Sequence, residues 1–293
     1  MKKRINRMND YVFKRIFGSE ENKDILISFL NSILAPDGKN QLTSIELLNR
    51  EIDPEFIFDK SSRLDILGKT DKDELINIEV QVCNEGDNEP RPLFYWAKLF
   101  SGQLKSGQNY IDLKPTIIIA VLNYSFIEIH RNYHSCYRIY DENSKHVLTN
   151  LFELHFLELP KMKTLRKKPR TLLEKWLMYL CNTEGDAMQE IAKNESKIKK
   201  ALTCEEIFRK VEKERLNYEM REKALLDYSS ALANAARKGK EEGKEEGKEE
   251  GKEEGKEERN IEIAKNLLSM GLSVEKISQA TGLNIEIIRK LKG

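Results

Sequence analysis

Apolar and polar positions alternate most cleanly in the segment LINIEVQV. There Ile76, Ile78, Val80 and Val82 fall on one side, and Asn77, Glu79 and Gln81 on the other. A period of two marks a strand. The stretch from Arg63 to Cys83, RLDILGKTDKDELINIEVQVC, reads as two strands joined by a tight polar turn at Thr70-Asp71-Lys72-Asp73. In an antiparallel pair the numbers of facing residues sum to a constant, and a change of one flips a strand's faces. A sum of 144 sets Asp65 opposite Glu79, with Cβ atoms about 4.5–5.5 Å apart. A sum of 143 turns Glu79 into the core, where an unpaired carboxylate is costly. The hairpin is therefore expected to close through an odd-numbered loop. Its polar face has two readings. It is the ordinary wet side of an antiparallel pair, or it holds two carboxylates that raise each other's pKa unless a cation lies between them.

The flanking pattern supplies an order of elements. Residues 9–34 read as helix, with one stripe at Phe13, Ile16 and Phe17, a break at Gly18-Ser19, and a second stripe at Ile25, Leu26, Phe29, Leu30 and Ile33. Pro36-Asp37-Gly38 is a turn, and Ile45 to Asn49 and Glu55 to Phe58 form a strand with an irregular lead-in. Glu89 to Ser106 predicts a helix, with Pro90 and Pro92 in its first turn and Gly107 past its end. Pro115 to Asn123 is an unbroken apolar run, as in a strand buried on both faces of a parallel pair. A strand, a crossover helix and a buried strand form a βαβ unit. Tyr137 to Asp141 and Leu151 to Leu159 are further strands at the sheet's far side. The order predicts an α/β fold with a mixed sheet: helix, three strands, helix, strand, with additions. From Pro169 onward the pattern is helical, with Leu172, Leu173, Trp176, Leu177 and Leu180 on one face and an amphipathic helix from Cys204 to Leu226.

A KEEG repeat runs from Lys240 to Gly255. Each glycine costs a helix about 1 kcal/mol relative to alanine, and each Glu–Lys pair returns about 0.3 kcal/mol, so a solvated helix or a spacer is expected. The tail holds three short helical patterns divided at Gly271-Leu272-Ser273 and Gly282-Leu283-Asn284, with Ser273 and Asn284 as N-caps. Its last two helices resemble a helix-turn-helix, a unit that binds DNA or another protein. The expected divisions are a core at 1–168, a helical extension at 169–236, the repeat at 237–259 and a helical tail at 260–293.

Composition narrows the setting. Of 293 residues, 39% are hydrophobic and 34% charged, and the net charge is +1. That is enough for one core of roughly 150–180 residues plus helices, and the balance argues neither for nor against nucleic acid. Cys83, Cys136, Cys181 and Cys204 show no CxxC spacing, which fits a reducing cytoplasm and no structural zinc. The start, MKKRINRMNDYVF, lacks the apolar segment of a secretory leader, and no apolar run is long enough to span a membrane. His130, His134 and Cys136 lack a partner pair at ligand spacing, so zinc is not expected there.

Spaced motifs over roughly residues 6–160 resemble the PD-(D/E)XK nuclease family transposases, the recombination-promoting nucleases. These motifs are Asp10, Phe13, Lys14 and Phe17 in NDYVFKRIFG, Asn49 and Lys60, Asp65 in RLDIL, and Glu79 with Gln81 in NIEVQ. Tyr95, Gln103, Gly107, Tyr110, Lys114 and Pro115 follow. The resemblance implies a restriction-endonuclease-like core with an α-helical C-terminal extension, and Mg²⁺-dependent cleavage of DNA, with Mn²⁺ as a substitute. Asp65 and Glu79, with the Val80 carbonyl, would hold the ion, since Mg²⁺ takes hard oxygen ligands and keeps several waters. The ion would acidify a water and polarise the scissile phosphate. Gln81 stands where the wider superfamily has lysine, and orients water without supplying charge. Asp10 is either a further acidic ligand or the N-cap of a helix beginning at Tyr11. Lys60 is either a phosphate contact or a solvated lysine. The basic run from Lys161 to Arg170, including Arg166, Lys167, Lys168 and Arg170, either holds DNA phosphates or is a solvated linker. Tyr95, Trp96 and Tyr110 are expected as core groups or supports of the site.

The expected function is a cytoplasmic DNA endonuclease of low sequence specificity, linked to recombination or mobile elements. The alternative is a non-catalytic DNA- or protein-binding module that uses the same fold. Self-association, where it occurs, is expected through the helical C-terminal region.

Overall fold

The computed structural model describes residues 5–48, 65–165 and 168–291. Asn49, Lys60, Arg166, Lys167 and the expected strand at Glu55–Phe58 lie outside the described residues. Helix α1 (Asp10–Phe17) is capped by Asn9, whose Oδ1 accepts from the N–H groups of Tyr11 and Val12. Asp10 is therefore the first helical residue and not the cap. Helix α1 buries Val12, Phe13, Ile16 and Phe17, and α2 (Lys23–Leu34) buries Ile25, Leu26, Phe29, Leu30 and Ile33. The break at Gly18-Ser19 lies between them, as the two stripes require.

The described strands form one mixed sheet: β1 (Ile45–Leu47), β2 (Ile66–Thr70), β3 (Leu75–Gln81), β4 (Thr116–Leu122), β5 (His134–Tyr137) and β6 (Phe152–Glu158), in spatial order β1-β2-β3-β4-β6-β5. Strands β2 and β3 pair antiparallel with Ile66 facing Ile78 and Leu67 facing Asn77. Both pairs sum to 144, the register that aligns Asp65 with Glu79. The loop Asp71-Lys72-Asp73 closes beneath a Thr70 N–H to Glu74 carbonyl bond of 3.0 Å, with Asp73 at φ 63°. A three-residue loop ending in a left-handed residue is a standard hairpin closure. Strand β4 runs parallel to β3 and to β6 and is buried along its whole length.

Helix α3 (Pro90–Ser101) makes the crossover from β3 to β4. It ends at Gly102, short of the expected Ser106. The Gln103 side chain has left the helix and brackets the next strand's approach: its amide oxygen accepts from Lys114 N–H, and its amide nitrogen lies 2.9 Å from Thr116 Oγ1. Strand β5 also departs from expectation. It comprises His134–Tyr137, not Tyr137–Asp141, and Tyr140 makes only an isolated bridge to Val147.

Pair parity sorts the two layers. Ile66, Ile76, Ile78, Ile117, Ile119, Val121 and Leu157 face α1, α2 and α5 (Leu172–Leu180), whose aromatic residues Phe17, Phe29 and Trp176 meet at ring separations of 5.4–6.0 Å. Leu67, Ile118, Ala120, Leu122, Leu154 and Phe156 face the other way, beside Tyr95 and Leu99 of α3.

Helices α4 (Leu159–Thr164), α6 (Asp186–Asn194), α7 (Ser196–Lys210) and α8 (Glu212–Ser269) complete this region. The helix expected over Cys204–Leu226 is broken at Val211. Arg7 ties the N-terminal segment to these helices. Its Nε lies 2.6 Å from Glu205 Oε1, it donates to the carbonyls of Tyr179 and Thr183, and both charged side chains are buried. Residues Met1–Asp227 form one compact unit and Tyr228–Gly293 a second. In the second unit, helix α8 continues through the KEEG repeat, and a Cβ placed on its glycines would meet none of the described residues within 4 Å beyond the helix's own nearby backbone. Helices α9 (Val274–Thr281) and α10 (Ile285–Leu291) there pack around Ala264, Ile277, Leu283 and Ile288. Asn284 caps α10 through Glu286 N–H, whereas Ser273 occupies the cap position of α9 without a side-chain bond. No helix among the described residues is long and apolar enough to cross a membrane.

Gly68 of β2 lies hard against β1. A Cβ there would meet Ile45 Cδ1 at 2.6 Å and Cγ1 at 2.8 Å, with the Glu46 carbonyl at 3.2 Å. Gly68→Ala is expected to push β1 away and cost about 1–3 kcal/mol. The measurement is the midpoint of urea unfolding, and an unchanged midpoint would show that Ile45 has room to move.

Candidate metal centre

The polar side of β3 is not wet. Asn77, Glu79 and Gln81 are 0%, 5% and 7% exposed. They share their face with the apolar layer under α3, beside Ile118, Ala120 and Leu122 of β4. Glu79 lies next to Ala120, the smallest side chain of that strand, so the carboxylate has space but almost no water.

Little compensates Glu79. Asn77 Nδ2 donates to Oε1 at 3.3 Å, and Arg91 Nε stands 3.6 Å from Oε2, beyond a good hydrogen bond. Arg91 is itself shared with Glu85 and Asp87. Burial drives the Glu79 pKa up, Arg91 pulls it down, and the charge of Asp65 pushes it up again, to about 7. Asp65 sits where the register sends it. Its Oδ2 accepts from the Val80 N–H at 2.8 Å, and its Oδ1 lies 3.3 Å from Lys14 Nζ of α1. Burial raises its pKa against the pull of Lys14 and the Val80 N–H, and the charge of Asp10 raises it further. Asp10 is clasped by Arg221 of α8, with Nε at 2.9 Å from both oxygens and Nη2 at 2.6 Å from one. Gln81 Oε1 is 2.5 Å from the Tyr124 hydroxyl, which also lies 2.7 Å from Asn88 Oδ1.

The structure thus gathers Asp65, Glu79 and Gln81 at one end of the hairpin, with Asp10 close enough to be felt by Asp65. Lys168 and Arg170 have their contacts elsewhere, Lys168 with Glu190 and the Arg170 backbone with Glu174. Lys161 of the same basic run is internal, holding the buried Glu158 at 2.6 Å. Tyr95 is buried and Trp96 donates to the Thr116 carbonyl, but Tyr110 is fully on the surface, contrary to expectation. Lys14 stands in NDYVFKRIFG, where nothing local points it at Asp65. Arg91 was missed, although its place between two prolines at a helix start was a usable signal. Arg221 was missed among the many charges of its helix.

The histidine segment has its own arrangement. His134 Nε2 is 2.8 Å from His155 Nδ1, and His155 Nε2 is 2.9 Å from Glu153 Oε1. Arg138 reaches the same oxygen at 2.8 Å, and Cys136 Sγ stands 3.5 Å from it. His130 Nε2 lies 3.3 Å from Ser135 Oγ. Burial and His155 hold His134 down at about 4, leaving it neutral.

The hairpin residues fit a hard divalent cation. The donors are carboxylate oxygens, both carboxyls are held above their usual range, and Asn77 Oδ1 beside them is buried without a partner. A mixed sheet crossed by one helix, with acidic residues at the end of its central hairpin, has the layout of the restriction-endonuclease-like fold. More narrowly, the chain belongs to the PD-(D/E)XK nuclease family transposases, whose sequence model matches residues 7–235. Nucleases of this kind generally use divalent metal ions. No curated protein and no solved structure matches the chain.

Between its ordinary value of 4.5 and about 7, Glu79 keeps a proton that the unfolded chain has released. Metal-free stability therefore falls as pH rises through that window. Glu79→Gln is expected to remove a loss on the order of 3 kcal/mol. The check is chemical unfolding at pH 5 and pH 8 in chelator, and equal pH dependence of both proteins would refute the assignment.

Proposed function

We propose that the chain is a divalent-metal-dependent DNA endonuclease with its centre at Asp65 and Glu79. The observation that carries this reading is the burial of two mutually repelling carboxyls at one hairpin end, with Lys14 and Arg91 as incomplete counter-charges. Mg²⁺, or Mn²⁺ in its place, supplies Lewis acidity toward water and the scissile phosphate when bound. Asp65 and Glu79 bind the ion through oxygen. The Val80 carbonyl is a third donor, because the N–H and C=O of a strand residue point to the same side and the Val80 N–H is turned to Asp65.

Gln81 orients water, with the Tyr124 hydroxyl limiting its rotation. Lys14 takes the electrostatic part that glutamine lacks, stabilising negative charge that develops on the phosphate. Asp10, held by Arg221, adds negative potential rather than a direct ligand. Lys168 is well exposed and suited to phosphate contact, which is independent of sequence. Low sequence specificity, supported by phosphate contact, and a link to recombination in a cytoplasmic setting, supported by the family, belong to the same proposal. A binding module without catalysis is the second reading, favoured by one fact: Asp10, Asp65 and Glu79 each already face an internal cation.

Supercoiled plasmid separates the two. Nicking is expected with Mg²⁺ or Mn²⁺ and not with chelator, falling at least about a hundredfold in Asp65→Asn and Glu79→Gln. Lys14→Met is expected to lower the cleavage rate while leaving plasmid binding unchanged. Metal-dependent nicking that persists in both carboxylate variants sinks the site. Plasmid retention with no nicking selects the binding module.

A further inference from the structure

Strands β5 and β6 lie at the far edge of the sheet and show the face opposite to Glu79. There Cys136 pairs directly across from His155, and Glu153 projects from the same face two residues earlier. The three potential donor atoms form a small triangle: Cys136 Sγ to Glu153 Oε1 is 3.5 Å, Cys136 Sγ to His155 Nε2 is 4.0 Å, and His155 Nε2 to Glu153 Oε1 is 2.9 Å. Ligands at about 2.0–2.3 Å from a tetrahedral ion stand about 3.3–3.8 Å from one another. The triangle brackets those edges.

The surroundings aim the donors. The buried His155 ring is fixed by His134, whose Nε2 lies 2.8 Å from Nδ1. With the proton on Nδ1, His155 donates to His134 and turns a bare Nε2 toward Glu153 and Cys136. Metal-bound histidines are commonly held in this way through the second ring nitrogen, and ligating carboxylates by a further donor. Arg138 is that donor for Glu153, at 2.8 Å, and is half exposed. Cys136 is exposed, which leaves a fourth position to water. A thiolate and a carboxylate together neutralise a divalent charge.

We infer that Cys136, Glu153 and His155 form a second metal site, of the zinc class, chemically distinct from the all-oxygen hairpin. Sulfur and imidazole select zinc over magnesium, so the two ends of the sheet sort two kinds of ion. Binding releases the thiol proton to solvent or buffer, and the single ring proton of His155 stays on Nδ1.

Cobalt serves as the probe. The full chain, reduced and stripped of metal, is titrated with Co²⁺ in excess Mg²⁺, which occupies hard-oxygen sites. One equivalent is expected to develop a thiolate-to-cobalt charge-transfer band with visible bands of four-coordinate cobalt, displaced by Zn²⁺. Cys136→Ser, an exposed position, is expected to abolish the charge-transfer band with unchanged circular dichroism. Asp65→Asn is expected to retain it, and His134→Ala to weaken cobalt binding about 10–100-fold. Zn²⁺ is also expected to slow alkylation of Cys136, read by peptide mass spectrometry. The proposal is overturned by no band in the wild type, by a band that survives Cys136→Ser, or by alkylation that Zn²⁺ leaves unchanged.

Discussion

An acidic side chain on a central strand, covered by a helix, governs the geometry of this molecule. Ionising a buried carboxyl costs several kcal/mol after relaxation, and Arg91 at 3.6 Å without a hydrogen bond does not offset that. The neighbours of Glu79 are arranged around the difficulty. Ala120 leaves it room, Asn77 gives it one weak donor, and the prolines flanking Arg91 fix the turn of α3 from which the guanidinium reaches in. The hairpin register then adds a second carboxyl beside the first and makes the electrostatic problem worse. A fold gains nothing in stability from this. Strain of this kind is concentrated where chemistry uses it.

The hairpin was legible because alternation and parity are properties of the chain itself. Ile76, Ile78 and Val80 fix which side is apolar, and a face count then permits one register. The order of elements was legible for a similar reason, since Pro115–Asn123 reads as a doubly buried strand without knowledge of its neighbours. Contacts between distant segments were not legible. That Asn77, Glu79 and Gln81 are covered depends on the docking of α3, which no local pattern reports. The end of α3 was misplaced because Gln103 to Ser106 carries no strong breaker, while the bonds from Gln103 to Lys114 and Thr116 draw it out of the helix. Strand β5 was displaced because His134–Tyr137 has a polar, short-edge composition that pairing with β6 alone makes extended. In the sequence Cys136 groups only with His130 and His134, because its meeting with Glu153 and His155 is a consequence of cross-strand register, not of spacing.

Helix α1 is held from outside the sheet. Tyr11 donates to Glu214, Asn9 to Glu222, and Asp10 receives Arg221, all on the opening turns of α8. The same helix sends Lys14 to Asp65. The position of that lysine is therefore set jointly by the apolar layer beneath α1 and by the polar row above it.

The buried pair of Arg7 and Glu205 couples the start of the chain to its helices. Arg7 precedes α1, while its carboxylate and both carbonyl partners lie in α5, the turn after it, and α7. An arginine buried without these helices would be an uncompensated charge, a loss of about 3–5 kcal/mol. The helices that bury Arg7 are thus the same ones that neutralise and bond it. Sheet and helices up to Asp227 are thereby coupled as one folding unit, and a change at Glu205 is felt at the segment that leads into α1.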